Sequence, residues 1–133
     1  MLDRAGREWE ELLAAVVGSN GDVLAPELVW SEATSVLREL TWRGLVSDRA
    51  AGQARALLAS APIVTRRPRR LRERAWEIAD AMGWARTYDA EYCALAALER
   101  CDLVTTDGRL RASGGRLGFV RTPAEAAGRL RAG

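Results

Sequence analysis

Two aspartates stand beside apolar sequence in the stretch YDAEYCALAALERCDLVTTDGRL, residues 88–110. Asp89 opens a run of helix formers rich in Ala and Leu, and Asp107 follows residues 103–106, whose apolar character predicts a buried strand. A carboxylate next to packed apolar surface is costly unless a positive group neutralises it. Because carboxylates that converge repel one another, a divalent cation is a natural partner for them.

The composition excludes most other hydrolytic chemistry. The chain contains no histidine and no lysine, so its 20 basic residues are all arginine. This excludes Ser-His-Asp and Cys-His catalysis, nearly all zinc sites, lysine nucleophiles and the phosphate-binding lysine of Walker motifs. Hydrolysis by this chain would therefore rest on carboxylates, together with a hard metal ion.

Length and composition predict one soluble globular domain over residues 1–133. The chain is 48% hydrophobic and 29% charged, and apolar runs such as residues 12–17 are too short to cross a bilayer. The N-terminal segment has no apolar core of a signal peptide, and Cys93 and Cys101 have neither CxxC nor disulfide-framework spacing. We therefore expect a cytoplasmic protein with two small, buried, free thiols and no membrane association.

Helical and strand patterns alternate along the sequence, which predicts an α/β fold: a parallel sheet flanked by helices on both faces, in three α/β/α layers. The predicted strands cover residues 22–28, 63–65, 103–106 and 118–121. The predicted helices cover residues 6–17, 28–43, 48–59 (capped by Ser47) and 68–82, a segment capped by Thr87, a short turn around Leu110, and a segment that begins with the capping box 122–125. Apolar spacing predicts the inward faces of two of these helices: Val29, Ala33, Val36, Leu37 and Leu40 in residues 28–43, and Leu71, Ala75, Ile78, Ala79 and Met82 in residues 68–82.

This fold would bring three carboxylates to one edge of the sheet. Ligands of open parallel sheets bind beyond the carboxyl ends of the strands, where Asp107 lies. Asp89 begins a helix, whose dipole favours a negative charge, and Glu32 lies early in the helix that follows the first predicted strand. The sequence therefore predicts that Glu32, Asp89 and Asp107 converge on a divalent cation.

At these residues the chain resembles PIN-domain ribonucleases, particularly VapC-type toxins of toxin–antitoxin pairs. The segments that carry the resemblance are APELVWSEATSVLREL and TYDAEYCALAALERCDLVTTDGRL. The acidic residues of the family match Glu32, Asp89 and Asp107, and the small hydroxyl residue before the last Asp is matched by Thr105. The resemblance implies that these four residues form the active site and that the three acids hold Mg²⁺ or Mn²⁺.

The same resemblance implies a function and its partners. The chain would be an endoribonuclease whose partners are an RNA substrate, a cognate antitoxin protein and a second copy of itself. The alternative is a catalytically degenerate PIN-like domain that dimerises or binds an antitoxin. A phosphatase-like domain is much less favoured, because the chain has no Asp-x-Asp motif and no lysine.

The front of the chain departs from the family pattern. Such proteins begin with a strand that ends in Asp and lies between the strands matched here by residues 22–28 and 103–106. We therefore expect about twenty upstream residues that encode this strand, and we leave Asp3, which has no strand before it, out of the site. A chain that folds without the strand should show a gap there, or have it closed by another chain, and should be weakly stable.

Simpler interpretations stay open for several features. Glu32 could be a solvated helix residue, Asp89 could only strengthen a helix start, and Asp107 before glycine could only form a turn. The arginine-rich residues 66–74 suit either RNA phosphates or a solvated helix start. For the five tryptophans, burial or an interface is favoured over base stacking.

Overall fold

The computed structural model describes residues 4–133, with side chains from Arg7 onward, so Asp3 lies outside the described residues. The chain divides into two compact units. The first consists of the described residues up to Asp22 together with Arg67–Gly133, and the second of Val23–Arg66. The prediction of one domain over residues 1–133 stays a prediction.

Helices and short strands alternate along the described residues. The helices are α1 Arg4–Gly18, α2 Leu28–Trp42, α3 Asp48–Ala59, α4 Leu71–Met82, α5 Tyr88–Glu99, α6 Gly108–Gly114 and α7 Pro123–Ala132. The strands are β1 Val23–Ala25, β2 Ile63–Thr65, β3 Leu103–Val104 and β4 Val120–Arg121, and a 3₁₀ turn at Gly115–Leu117 follows α6.

The strands pair in parallel, which confirms the predicted α/β class. In the second unit β1 pairs with β2, with Val23 opposite Ile63. In the first unit β3 pairs with β4, with Leu103 opposite Val120. Within the described residues no ladder joins β1 to β3, and the predicted gap between these two strands stays a prediction.

Three strands are shorter than predicted, for local reasons. Pro26 has no N–H to donate, and its carbonyl instead accepts from the Val29 N–H at 3.1 Å. β1 therefore ends at Ala25. The left-handed backbone of Gly118, at φ 77°, delays the start of β4 until Val120. β3 ends at Val104, because the backbone at residues 105–107 turns into α6.

The first unit is held together by small side chains. Of the residues of α4 predicted to face inward, Leu71, Ala75, Ile78 and Ala79 are buried and Met82 is partly buried. α4 packs along α5. α5 buries Ala90, Ala94 and Ala96, whose small side chains permit a close approach of neighbouring elements. Elsewhere in the unit, α1 packs on α7 through a cluster formed by Leu12, Ala126 and Ala127.

The second unit buries much less apolar surface. None of the residues of α2 is buried, and in α3 the buried residue is Ala51. Val36, predicted to face inward, is exposed, because few side chains cover α2. Trp42, at the end of the same helix, is 77% exposed. The α2–α3 pair therefore presents large apolar side chains to solvent.

Capping residues begin two helices where the sequence predicts them. Ser47 Oγ accepts from the Ala50 N–H at 3.1 Å, and Thr122 Oγ1 accepts from the Glu125 N–H at 3.1 Å. The prediction for Thr87 was wrong: it occupies the N-cap position of α5, but its side chain makes no capping bond, since its backbone is already helical. None of the described helices has the length and apolarity needed to cross a membrane.

Candidate functional site

Thr105 and Asp107 form one local arrangement between β3 and α6. The backbone N–H of Asp107 donates to Thr105 Oγ1 at 3.1 Å. The Asp107 carboxylate in turn caps α6, because its Oδ1 accepts from the N–H groups of Arg109 at 2.9 Å and Leu110 at 3.2 Å. The turn-forming interpretation of Asp107 is therefore correct as a description of its local role.

Capping does not use the whole carboxylate. Asp107 is exposed, and its Oδ2 receives no hydrogen bond from a described residue. The capping bonds fix the direction of the side chain, so Oδ2 stands in a defined position at the carboxyl end of β3. This oxygen can accept a hydrogen bond or contact a cation from solvent.

Asp89 lies in the first turn of α5 and is exposed. Since Thr87 provides no side-chain cap, the negative charges at this end of the helix come from Asp89 and Glu91. The positive end of the helix dipole stabilises both negative charges. The helix-strengthening interpretation of Asp89 is thus compatible with the structure, and it leaves the carboxylate accessible to solvent.

Glu32 belongs to the second unit, where it is exposed on α2. Among the side chains that the structure describes, no three acidic or cysteine groups form a cluster that could hold a metal ion. The structure thus brings Thr105 and Asp107 together, and it places Asp89 in the same unit. The predicted convergence of all three carboxylates stays a prediction.

Neither cysteine has the lowered pKa of a reactive thiol. Cys93, one turn after Asp89 in α5, is fully buried. Burial, followed by the negative charge of Asp89, raises the pKa of its thiol to about 11. Cys101 is exposed, contrary to the prediction of two buried thiols. Its pKa is also raised, by partial burial and by the charges of Glu99 and Asp102, so neither thiol is activated as a nucleophile.

The arginine-rich segment divides into paired and unpaired side chains. Arg70 contacts Glu73 at 3.3 Å and Arg74 contacts Glu77 at 2.9 Å, as expected for a solvated helix start. Four further exposed arginines make no ion pair with a described residue: Arg66, Arg67, Arg69 and Arg72. Both interpretations of this segment therefore have support, each from different residues.

Sequence reasoning missed a charged cluster at the amino-terminal end of β3. Asp102 Oδ2 forms an ion pair with Arg129 Nε at 3.0 Å, and Asp102 Oδ1 lies 3.9 Å from Arg121 Nε. Far apart in sequence, these residues meet because β4 and α7 pack beside β3. A similar bond joins Arg111 to Glu125 at 2.7 Å. No local sequence signal could have predicted either ion pair.

Comparison with protein families gives a match over most of the chain. The PIN domain matches residues 2–115, a span that contains Glu32, Asp89, Thr105 and Asp107. A search of curated proteins and a search of solved structures gave no match. The matched span and the α/β fold with short parallel strands agree with each other. The chain therefore belongs to the PIN domain family.

Proposed function

We propose that the chain is an endoribonuclease, which hydrolyses phosphodiester bonds within RNA. The observation that carries this proposal is its membership of the PIN domain family, whose members are generally nucleases. The composition supports it independently, because a chain without histidine or lysine has to rely on carboxylates for hydrolysis.

The residues we propose for the reaction are those named by the resemblance: Glu32, Asp89 and Asp107. All three carboxylates are exposed, as contact with a polymer substrate requires. Thr105 would act as a positioning residue, since its hydroxyl holds the backbone N–H of Asp107 at 3.1 Å. The arrangement supports a role for Asp107 in which Oδ1 fixes α6 and Oδ2 stays available for chemistry.

We further propose dependence on Mg²⁺ or Mn²⁺, because PIN domains typically use divalent ions and carboxylate oxygens are the ligands such ions prefer. The described side chains include no cluster of three that would hold a metal. The metal proposal therefore rests on the family and on the residue types.

The biological role we propose is that of the toxin in a toxin–antitoxin pair, with a cognate antitoxin and a second copy of the chain as partners. Its support is the motif resemblance, together with exposed apolar surface that suits protein partners. Trp76 on α4 is 71% exposed, and Trp42 and Leu45 are exposed at the end of α2 and just after it. Light scattering on a size-exclusion column tests the dimer: a monomer mass at all concentrations would contradict it.

The test of the enzymatic proposal is cleavage of RNA by the purified chain. We expect cuts within a mixed-sequence single-stranded RNA when Mg²⁺ or Mn²⁺ is present, and none when EDTA is added. A DNA strand of the same sequence is the matched control for an endoribonuclease. Cleavage that EDTA leaves unchanged would contradict the metal proposal, and equal cleavage of both strands would contradict the RNA specificity.

The rival proposal is a degenerate PIN domain that binds a partner without cutting RNA. The observation that favours it is the absence, among the described side chains, of a three-ligand metal cluster. Calorimetric titration with Mn²⁺ separates the two proposals. A nuclease site should show saturable binding at millimolar concentrations or below, and a degenerate site should show none.

A further inference from the structure

An open cavity of about 460 Å³ lies in the first unit, where α5 ends and β3 begins. It is at the amino-terminal end of β3, whereas Thr105 and Asp107 follow the carboxyl end. Two alanines of the last turn of α5 form part of its wall. The other lining residues carry charge, a thiol or an aromatic ring: Arg100, Cys101, Asp102, Phe119 and Arg129.

The cavity carries net positive charge. Asp102 is neutralised by Arg129, at 3.0 Å, with Arg121 at 3.9 Å on its other oxygen. Arg100 makes no ion pair with a described residue and is exposed. Cys101 adds no negative charge near neutral pH, because burial and the neighbouring acids raise the pKa of its thiol. The unneutralised group in the wall is thus the Arg100 guanidinium, which favours an anionic ligand.

The backbone holds Arg100 in an unusual conformation. Its φ is 54°, a left-handed value at the end of α5 where glycine is the usual residue. Its N–H donates to the carbonyl of Ala96, as does the N–H of Cys101 at 3.0 Å. An arginine in this conformation is strained relative to glycine, so a function for its side chain would explain its presence.

Phe119 forms the aromatic part of the cavity wall, and its backbone is held by a hydrogen bond. The carbonyl of Phe119 accepts from the Leu103 N–H at 2.9 Å, which ties this residue to the start of β3. Phe119 is half-buried, so part of its ring is available at the cavity. An aromatic ring beside guanidinium groups is the combination that binds a base and its phosphate in single-stranded nucleic acid.

We propose that this cavity binds a nucleoside monophosphate unit, with the phosphate on Arg100 and the base against Phe119. Its volume is within the range of small-molecule sites. If the unit belongs to RNA, which rests on the proposed nuclease function, the cavity is a second substrate contact. At about 3.3 Å per residue, residues 102 and 105 are about 10 Å apart along β3, so a short RNA segment reaches from the cavity toward Asp107.

Calorimetric titration of the full chain with AMP, in EDTA so that no RNA-cleaving activity is involved, tests the cavity. We expect saturable binding that Arg100→Gly weakens about tenfold, corresponding to about 1.4 kcal/mol. Glycine suits the left-handed backbone, so this variant should fold. Arg55→Ala, which removes an exposed arginine of α3 in the second unit, is the charge-matched control and should change the affinity less than about twofold.

Phe119→Leu separates base binding from simple anion binding. It should weaken binding of AMP but leave binding of inorganic phosphate unchanged, because only the base uses the ring. No saturable AMP binding, or equal losses in Arg100→Gly and Arg55→Ala, would overturn the proposal. So would a Phe119→Leu chain that binds AMP as the parent does.

A 2′-O-methyl RNA pentamer distinguishes the two sources of the ligand. If the unit belongs to RNA, the pentamer binds more tightly than AMP and Arg100→Gly weakens both. If the site serves a free nucleotide, AMP binds more tightly than the pentamer. The same measurements distinguish failure of the nuclease proposal from failure of the cavity proposal. If the parent chain binds AMP but does not cleave RNA, the nuclease proposal is contradicted. If it cleaves RNA but does not bind AMP, the proposal for the cavity is contradicted.

Discussion

Thr105 Oγ1 accepts a hydrogen bond from the backbone N–H of Asp107 at 3.1 Å, so the hydroxyl holds the aspartate at the end of β3. Asp107 Oδ1 then caps α6 through the Arg109 and Leu110 N–H groups. One carboxylate therefore has a structural role through Oδ1 and, by our proposal, a chemical role through Oδ2. These two roles can be separated by substitution.

Asp107→Ala should lower the free energy of unfolding by about 1 kcal/mol, because it removes the cap of α6. Asp107→Asn should leave stability nearly unchanged, since asparagine caps helices as well as aspartate does, but it should abolish RNA cleavage. Urea unfolding and a cleavage assay on both variants check this. Full cleavage by Asp107→Asn would remove Asp107 from the proposed site.

Gly114 is a close-packing position beside β4. A Cβ at this residue would lie 2.6 Å from Val120 Cγ2 and 3.3 Å from Val120 Cβ. Gly114→Ala should therefore cost about 1–3 kcal/mol of stability. The matched control is Gly115→Ala, which meets nothing within 4 Å and should be neutral or stabilising by about 0.4–1 kcal/mol. Equal unfolding midpoints in urea for the two variants would contradict the packing described for Gly114.

Because the thiol of Cys93 is buried, we expect the free energy of unfolding to fall as the pH becomes alkaline. Its pKa is raised to about 11 in the native state, from an ordinary value of 9.0. As the pH rises above 9.0, the unfolded state loses this proton first and so binds fewer protons than the native state. The contribution of the protonated Cys93 thiol to the free energy of unfolding is therefore complete below the ordinary pKa and is lost as the pH rises through about 11.

The measurement is urea unfolding of the parent chain and of Cys93→Ala at about pH 8 and about pH 10.5. The substitution costs stability at both pH values, because it removes buried volume. Cys93→Ala should also lack the loss of stability at alkaline pH that comes from the thiol. The difference in the free energy of unfolding between the two chains should therefore shrink as the pH rises. A difference that stays constant or grows would show that the thiol does not titrate as described.

The unpaired arginines near the start of α4 should contribute to RNA affinity. Replacing Arg69 and Arg72 by alanine should reduce the slope of log affinity against log salt by about 0.7 for each phosphate of a single strand that is no longer neutralised. The charge-matched control replaces Arg49 and Arg55, exposed on α3. Fluorescence anisotropy in EDTA, at several salt concentrations, measures both double variants. Equal slopes would favour the solvated-helix interpretation of residues 66–74.

Local signals in the sequence predicted local structure well. Ser47 and Thr122 each cap the predicted helix, because a capping residue and the N–H it binds are only three positions apart. α3 and β2 have the predicted bounds. Asp107 was placed correctly at the end of a strand, although that strand stops at Val104.

Features that depend on distant residues could not be predicted in this way. The ion pair between Asp102 and Arg129 requires the pairing of β3 with β4 and the packing of α7. The spacing of residue types in the local sequence predicts neither of these. The exposure of Val36 follows from how few side chains cover α2, which periodicity cannot reveal. The resemblance named the candidate acids, but the hydrogen bonds of Asp107 became known only from the structure.

The most direct test of the account compares RNA cleavage by the parent chain, Asp89→Asn and Glu91→Gln. Both substitutions neutralise an acid in the first turn of α5, so they perturb the helix dipole alike. We predict metal-dependent cleavage by the parent, a loss of at least about a hundredfold in Asp89→Asn, near-parental cleavage by Glu91→Gln, and similar thermal unfolding for all three. Parental cleavage by Asp89→Asn, or an equal loss in both variants, would contradict the assignment of Asp89 to the site.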